Sequence, residues 1–270
     1  MSLHDLRPTL AQMSGEDNYK RAPVMPLNEV RLNGQTGKYI YTNILSGRKA
    51  IVDGKEEYEK HDLGVSVHLV FLKIRRKLSY FQRDSSNMMV TNEHNVADDY
   101  VSLFGAMDVE KGLAKQLRFL HPELRTQQIV YCMLPDSGEI VRLTVKGSSL
   151  GSDAKPEERL SFYEYIQSFD HRGIQGTEEH FYEFITQLGV GEETGKLGPY
   201  KTVDFVRGRK LTPEEMQKVE QAMTSVFAFC KATDEYYANP NNKLISSPDE
   251  MNEQVVAAED DEIAPKDIPF

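Results

Sequence analysis

Ile129-Val130-Tyr131-Cys132-Met133-Leu134, Pro135-Asp136-Ser137-Gly138 and Glu139-Ile140-Val141-Arg142-Leu143-Thr144-Val145-Lys146 are consecutive, and together they decide the fold class. Two β-branched and aromatic runs flank a four-residue turn signal, the pattern of a β-hairpin. In the second run Val141, Leu143 and Val145 alternate with Arg142, Thr144 and Lys146, so one face is apolar and the other is polar and cationic.

Upstream, Lys38-Tyr39-Ile40-Tyr41-Thr42-Asn43-Ile44-Leu45 reads as a strand before the Ser46-Gly47 turn. Val65, Val67 and Leu69 alternate with Ser66 and His68 in a run that continues through Phe71 and Ile74 to Tyr80 and Phe81. Helices interrupt the strands. Val109 to Leu120 carries Leu113, Leu117 and Leu120 at helical spacing and is stopped by Pro122. Two aromatic stretches, Glu158 to Phe169 and Glu178 to Leu188, read as helices, and Gly189 to Gly198 reads as a loop. Tyr200 to Val206 is strand-like. Thr212-Pro213-Glu214-Glu215 then opens a helix with a capping box and Pro at its first position; Met216, Val219, Met223, Val226, Phe227 and Cys230 form its apolar stripe.

The chain is long enough for a large core, with 39% hydrophobic and 27% charged residues. No apolar run has the length of a membrane span or the form of a leader, so a cytoplasmic protein is expected. Cys132 and Cys230 sit in apolar segments and read as reduced core residues. Residues 1–27 mix Pro8, Pro23, Pro26 and Gly15 with scattered charge, which suggests a flexible arm. Residues 28–237 form the body, and 238–270 a linker and acidic tail. Of the net charge of −10, the segment 248–270 holds eight acids against one base, leaving −3 for the rest. Acidity set apart in this way is compatible with a basic groove elsewhere.

The tail runs Glu259-Asp260-Asp261-Glu262-Ile263-Ala264-Pro265-Lys266-Asp267-Ile268-Pro269-Phe270. Over these twelve residues it resembles the C-terminal tip of bacterial single-stranded DNA-binding proteins, with one departure: Lys266 precedes a single Asp267. The resemblance implies that Asp267, Ile268, Pro269 and Phe270 dock replication or repair enzymes such as helicase, exonuclease, polymerase or primase subunits. The Phe270 ring would fill an apolar pocket and its carboxylate would meet a base. Together with the strand-rich centre, it implies an α+β, β-rich chain whose body is an oligonucleotide-binding (OB-fold-like) barrel with helical insertions, a C-terminal helix and a disordered acidic tail. Greater length and the lack of a match outside the tail suggest a divergent phage or mobile-element version. The alternative is an interaction protein, or a nucleic-acid enzyme, that uses the tip to engage the host replication machinery.

Sequence-tolerant binding of single strands needs cations along the backbone path and aromatic faces for the bases, each stack being worth about 1–3 kcal/mol. Lys73-Ile74-Arg75-Arg76-Lys77-Leu78-Ser79-Tyr80-Phe81-Gln82-Arg83 is the densest candidate, with Lys73, Arg75, Arg76, Lys77 and Arg83 beside Tyr80 and Phe81. Tyr200, Lys201, Phe205, Arg207, Arg209 and Lys210 form a second. Strand alternation there leaves Phe205 either on the groove or packed in the core. Arg142 and Lys146 on the outward side of the hairpin are a third element, and Lys38, Tyr39, Tyr41, Arg48 and Lys49 a fourth.

Enzyme signals are poor. Gly147-Ser148-Ser149-Leu150-Gly151 has the spacing of a nucleophile elbow, but Ser152 to Pro156 intervenes before any helix. Val190 and Leu197 break a phosphate-loop pattern around Gly195-Lys196. The seven histidines and two cysteines have no metal-ligand spacing, so no cofactor or metal is expected. His171 and His180 flank a glycine-containing turn and read as solvated loop histidines, with a pH-sensitive surface pair as the alternative. Asp98-Asp99 and Glu56-Glu57 read as solvent-facing charge.

Overall fold

The computed structural model describes residues 23, 25–52, 55–82, 87–90, 93, 124–151, 160–174, 176–195 and 198–238. The expected helix Val109 to Leu120, Arg83, most of the N-terminal arm and the tail with Asp267, Ile268, Pro269 and Phe270 lie outside these residues. So do the side chains of Tyr80 and Phe81. The chain divides into two compact units, one built on Pro26–Val226 and the other on Phe227–Glu262 with Met1–Met25. Described structure in the second is chiefly the latter half of a long helix.

The described strands are β1 (Asn28–Asn33), β2 (Lys38–Asn43), β3 (Lys49–Val52), β4 (Lys55–Gly64), β5 (Val67–Gln82), β6 (Asn87–Val90), β7 (Leu124–Met133), β8 (Ile140–Lys146), β9 (Phe184–Gly195) and β10 (Gly198–Lys210). Helices α1 (Phe162–Gln167) and α2 (Pro213–Ala238) complete the elements. The strands form one open sheet in the order β10-β9-β5-β7-β8-β1-β2-β4-β3, with β6 paired to β5 off this path. All pairs are antiparallel except β1 with β8. The chain is therefore α+β and strand-rich.

The hairpin β7–β8 forms as its sequence predicts. Val130 pairs with Leu143 and Met133 with Ile140. The turn closes with Leu134 N–H donating to the Glu139 carbonyl at 2.9 Å, while Gly138 takes φ +72°, a left-handed conformation that suits a residue without Cβ. Val141, Leu143 and Val145 are buried, joining Val30, Leu69, Phe71, Val130, Cys132, Leu188, Val203 and Phe205 in one core. Helix α1 completes it. The Ser161 N–H donates to the Glu164 carboxylate at 2.7 Å, fixing the helix start so that Phe162 and Tyr165 face inward. Their rings lie 5.5 and 5.8 Å from that of Phe205. Each buried ring contributes about 1.5–3 kcal/mol of transfer free energy.

Several sequence expectations change. Glu178 to Leu188 is a 3-10 turn at Phe181–Glu183 followed by β9, not a helix. Phe181, Phe184 and Leu188 have a spacing that helix and strand both tolerate. The deciding features are Phe184, Thr186 and Leu188, which alternate inward against β10. The expected loop from Gly189 belongs largely to the same strand. Its glycines make room: a Cβ on Gly191 would stand 2.6 Å from an Asp204 carboxylate oxygen and 2.7 Å from the Thr202 hydroxyl. Val65 is a 63% exposed turn residue rather than the start of β5. In α2 the Thr212 N–H donates to the Glu215 carboxylate at 2.8 Å and Glu215 N–H to the Thr212 hydroxyl at 3.3 Å, the expected capping box. The buried stripe is Val219, Ala222, Val226, Cys230 and Thr233; Phe227, one position off that 3-4-4-3 spacing, is exposed.

Candidate nucleic-acid interface

A bulge decides which side the β5 cations take. Leu69 and Phe71 point into the core, and the register shifts between Phe71 and Lys73. Ile74, opposite Val130, then holds the core side, which sends Lys73, Arg75 and Lys77 to the other face. Across the sheet, residues directly opposite share a face. Lys73 stands opposite Tyr131, Tyr131 opposite Arg142, Arg142 opposite Glu29, Glu29 opposite Thr42 and Thr42 opposite Lys60. A second row runs Arg75, Ile129, Thr144, and a third Lys77, Gln127, Lys146. Arg31, two residues beyond Glu29 on β1, lies on the same face. The sheet thus gathers cations of the first and third sequence elements on a grid of about 5 Å between strands and 7 Å along them.

Glu93 lies on this face. The Tyr131 hydroxyl donates to its carboxylate at 2.5 Å, and the Arg75 guanidinium donates to its backbone carbonyl at 2.7 Å. Lys77 Nζ and Arg142 Nη1 stand 3.7 and 3.6 Å from its second carboxylate oxygen. Arg142 also pairs with Glu29. Burial holds the Arg142 pKa below its ordinary value; a guanidinium remains charged throughout the stable pH range regardless. Arg75, Ile129 and Tyr131 are 1%, 3% and 2% exposed, so the middle of this face is covered and Arg75 ties Glu93 down rather than meeting solvent as a surface cation.

The second element does not join these rows. Phe205 is 0% exposed and belongs to the aromatic core, which removes it as a base-stacking residue. Arg207 donates to Glu179 at 2.5 Å, and its guanidinium carbon lies 4.0 Å from the Phe184 centroid and 4.5 Å from that of Phe169. It closes the end of the core. Arg209 forms a two-pronged pair with Glu215 at 2.6 and 2.7 Å, supporting the start of α2. Lys210 pairs with Glu183 at 3.6 Å, Lys201 pairs with Glu192, and the Tyr200 hydroxyl donates to Glu193 at 2.8 Å. Cations of this element are engaged with the carboxylates of β9, its flanks and the start of α2.

Arg76 alternates to the core side of the sheet, opposite Gln128. In the fourth element Tyr39 is buried, Tyr41 donates to Glu139 at 2.8 Å, and Lys38 pairs with Asp62 at 2.6 Å. Lys49 lies 5.3 Å from the Tyr58 ring centroid. The Ser149 hydroxyl accepts the Val203 N–H at 2.9 Å, a structural tie between the turn after β8 and β10. The His171 and His180 rings are 5.8 Å apart, and His180 stacks on Tyr182 at 4.9 Å.

Sequence reasoning missed Tyr131, Glu29, Arg31 and Glu93. For Tyr131 a signal existed: it alternates with Val130 and Cys132 and therefore shares a face with the outward side of β8. Glu93 has no local signal, because its position depends on pairing partners distant in the chain.

Among the described residues no group of three or more His, Cys, Asp or Glu is placed to hold a metal ion, and no helix is long and apolar enough to cross a membrane. Compared with protein-family models, curated proteins and solved structures, the chain matches none.

Proposed function

We propose that this protein binds single-stranded DNA without strong sequence preference, through the outer face of β5, β7, β8 and β1, protecting it during replication, recombination or repair. The observation that carries the reading is the convergence of Lys73, Lys77, Arg142 and Lys146 on one sheet face, around the buried Arg75 and Tyr131. Cations spaced in rows suit a phosphate backbone laid across strands. A duplex reader instead needs an element shaped for the major groove. Helix α2 is a poor candidate for that role, since its five acids outnumber Lys218 and Lys231.

The body is read as an oligonucleotide-binding barrel in elaborated form. Three features support this. Strand β5, 16 residues long, pairs with β9 at its start and with β7 beyond. It carries a bulge between Phe71 and Lys73, within its pairing with β7. The Tyr39 hydroxyl of β2 reaches the Gly189 carbonyl of β9 at 2.7 Å. The tip Asp267-Ile268-Pro269-Phe270 recruits partner enzymes in this reading, on the strength of its sequence resemblance.

Fluorescence anisotropy of the full chain with labelled oligo-dT, competed by duplex DNA over a salt series, tests the proposal. Binding should fall with salt and be far stronger for the single strand. Equal preference for duplex, or no binding, would leave an interaction protein bearing the tip as the better reading.

A further inference from the structure

We propose that the Glu93 carboxylate sits in the seat of a DNA phosphate and is displaced by the strand when it binds. The inference rests on the outer face being the interface, and it specifies one anion site on it. Three independent elements build the seat: Lys77 from β5, Tyr131 from β7 and Arg142 from β8 surround a single carboxylate. One carboxylate oxygen accepts the Tyr131 hydroxyl, while the other lies 3.6 and 3.7 Å from Arg142 and Lys77, well beyond the 2.7–2.9 Å or so of a close charged hydrogen bond. As placed, the carboxylate makes a close hydrogen bond to neither cation. A tetrahedral phosphodiester is larger and presents its free oxygens in two directions, so it can approach the ammonium and the guanidinium together.

Charge explains why the seat is filled at all. Lys77 and Glu93 keep only 20% and 13% of their side-chain surface, and unneutralised charge at that depth is costly. Glu93 supplies one negative charge, the same as a phosphodiester. Exchange of one for the other leaves the local charge unchanged and keeps Lys77 neutralised at either stage, while Arg142 retains Glu29. Glu93 therefore keeps the empty face folded and sets a threshold that a bound strand must exceed.

The test compares oligo-dT affinity of the full-length wild type, Glu93→Gln and the control Glu56→Gln, which neutralises a carboxylate that is 72% exposed on β4. Removing the competing charge should tighten binding by Glu93→Gln at least threefold at low salt, with Glu56→Gln unchanged within experimental scatter. If Glu93→Gln fails to fold by circular dichroism, Glu93→Asp retains the charge but retracts it from both cations and should tighten binding about twofold. Wild-type binding with no gain in the folded variant, or an equal gain in Glu56→Gln, overturns the phosphate seat and leaves the interface reading intact. If neither the wild type nor the variants bind oligo-dT, both readings fall.

Discussion

The Tyr39 hydroxyl donates to the Gly189 carbonyl at 2.7 Å, joining β2 to β9 although four strands lie between them in the sheet order. Tyr39 is 0% exposed, and burial, reinforced by the nearby Asp204 charge, pushes its pKa up. The phenol thus stays protonated and remains a donor. Tyr39→Phe keeps the ring and strands a carbonyl, at a cost of about 1–3 kcal/mol. Urea denaturation should show a lower midpoint with an unchanged slope; an unchanged midpoint would mean the bond contributes nothing to holding β2 against β9.

Phe205 is packing, and its substitution separates stability from binding. Phe205→Ala should destabilise by about 3–5 kcal/mol, the usual cost of emptying a well-packed aromatic site. Phe205→Leu should cost less and leave the oligo-dT affinity of the folded fraction unchanged. Loss of affinity in a fully folded Phe205→Leu protein would return this residue to the interface.

Glu215 ties the end of β10 to the start of α2. Its hydrogen bonds with Arg209, and then with the Thr212 backbone, hold its pKa down at about 2, against an ordinary 4.5. A folded pKa below the unfolded one stabilises the fold above about pH 4.5 and loses that contribution as pH falls toward 2. Thermal melts of wild type and Glu215→Gln, followed by the helical signal from pH 7 to 2.5, should differ most at neutral pH and converge in acid. A difference that is constant with pH would rule out the ionised pair as its source.

The sequence made the local pieces legible and left their assembly hidden. Hairpin β7–β8 and the α2 capping box announce themselves through short-range patterns, and both are present. Strand β9 does not: Phe181, Phe184 and Leu188 fit a helical spacing, and only pairing with β10 and the closeness of Asp204 to Gly191 favour the strand. The same holds for the candidate interface. Arg142 is visible as an outward cation and Lys73 as part of a dense basic run, but the bulge after Phe71 determines that they share a face. No local rule places Tyr131 between them. Phe205 could be assigned to one face of its strand from alternation alone, yet which face meets the core is a tertiary fact.

The tail carries its own prediction. Deleting Asp267 to Phe270 should abolish capture of a tip-docking helicase or exonuclease subunit while leaving oligo-dT affinity nearly unchanged, since one acidic side chain is lost. Deleting Glu259 to Phe270 removes five acids against Lys266. That should tighten DNA binding at low salt, and the gain should vanish near 1 M salt, where the Debye length is about 3 Å. Capture that survives loss of the last four residues would remove the docking role.

The salt dependence of binding locates the interface most directly, because each phosphate contact on a single strand contributes about 0.7 to the slope of log affinity against log salt. Lys77 and Lys146 occupy the same cross-strand row, on β5 and β8, with Gln127 between them. Replacing both by Ala should flatten the slope by up to about 1.4 if each meets its own phosphate. Lys201 and Arg209 are as cationic but are paired with Glu192 and Glu215 away from that row. Their joint replacement should leave the slope unchanged, although Arg209→Ala should lower the melting temperature by weakening the start of α2. The two double variants remove the same formal charge, so any effect of net charge alone would appear equally in both. A flattened slope in Lys201→Ala/Arg209→Ala with none in Lys77→Ala/Lys146→Ala would move the interface from the β5–β7–β8 face to the β9–β10 edge.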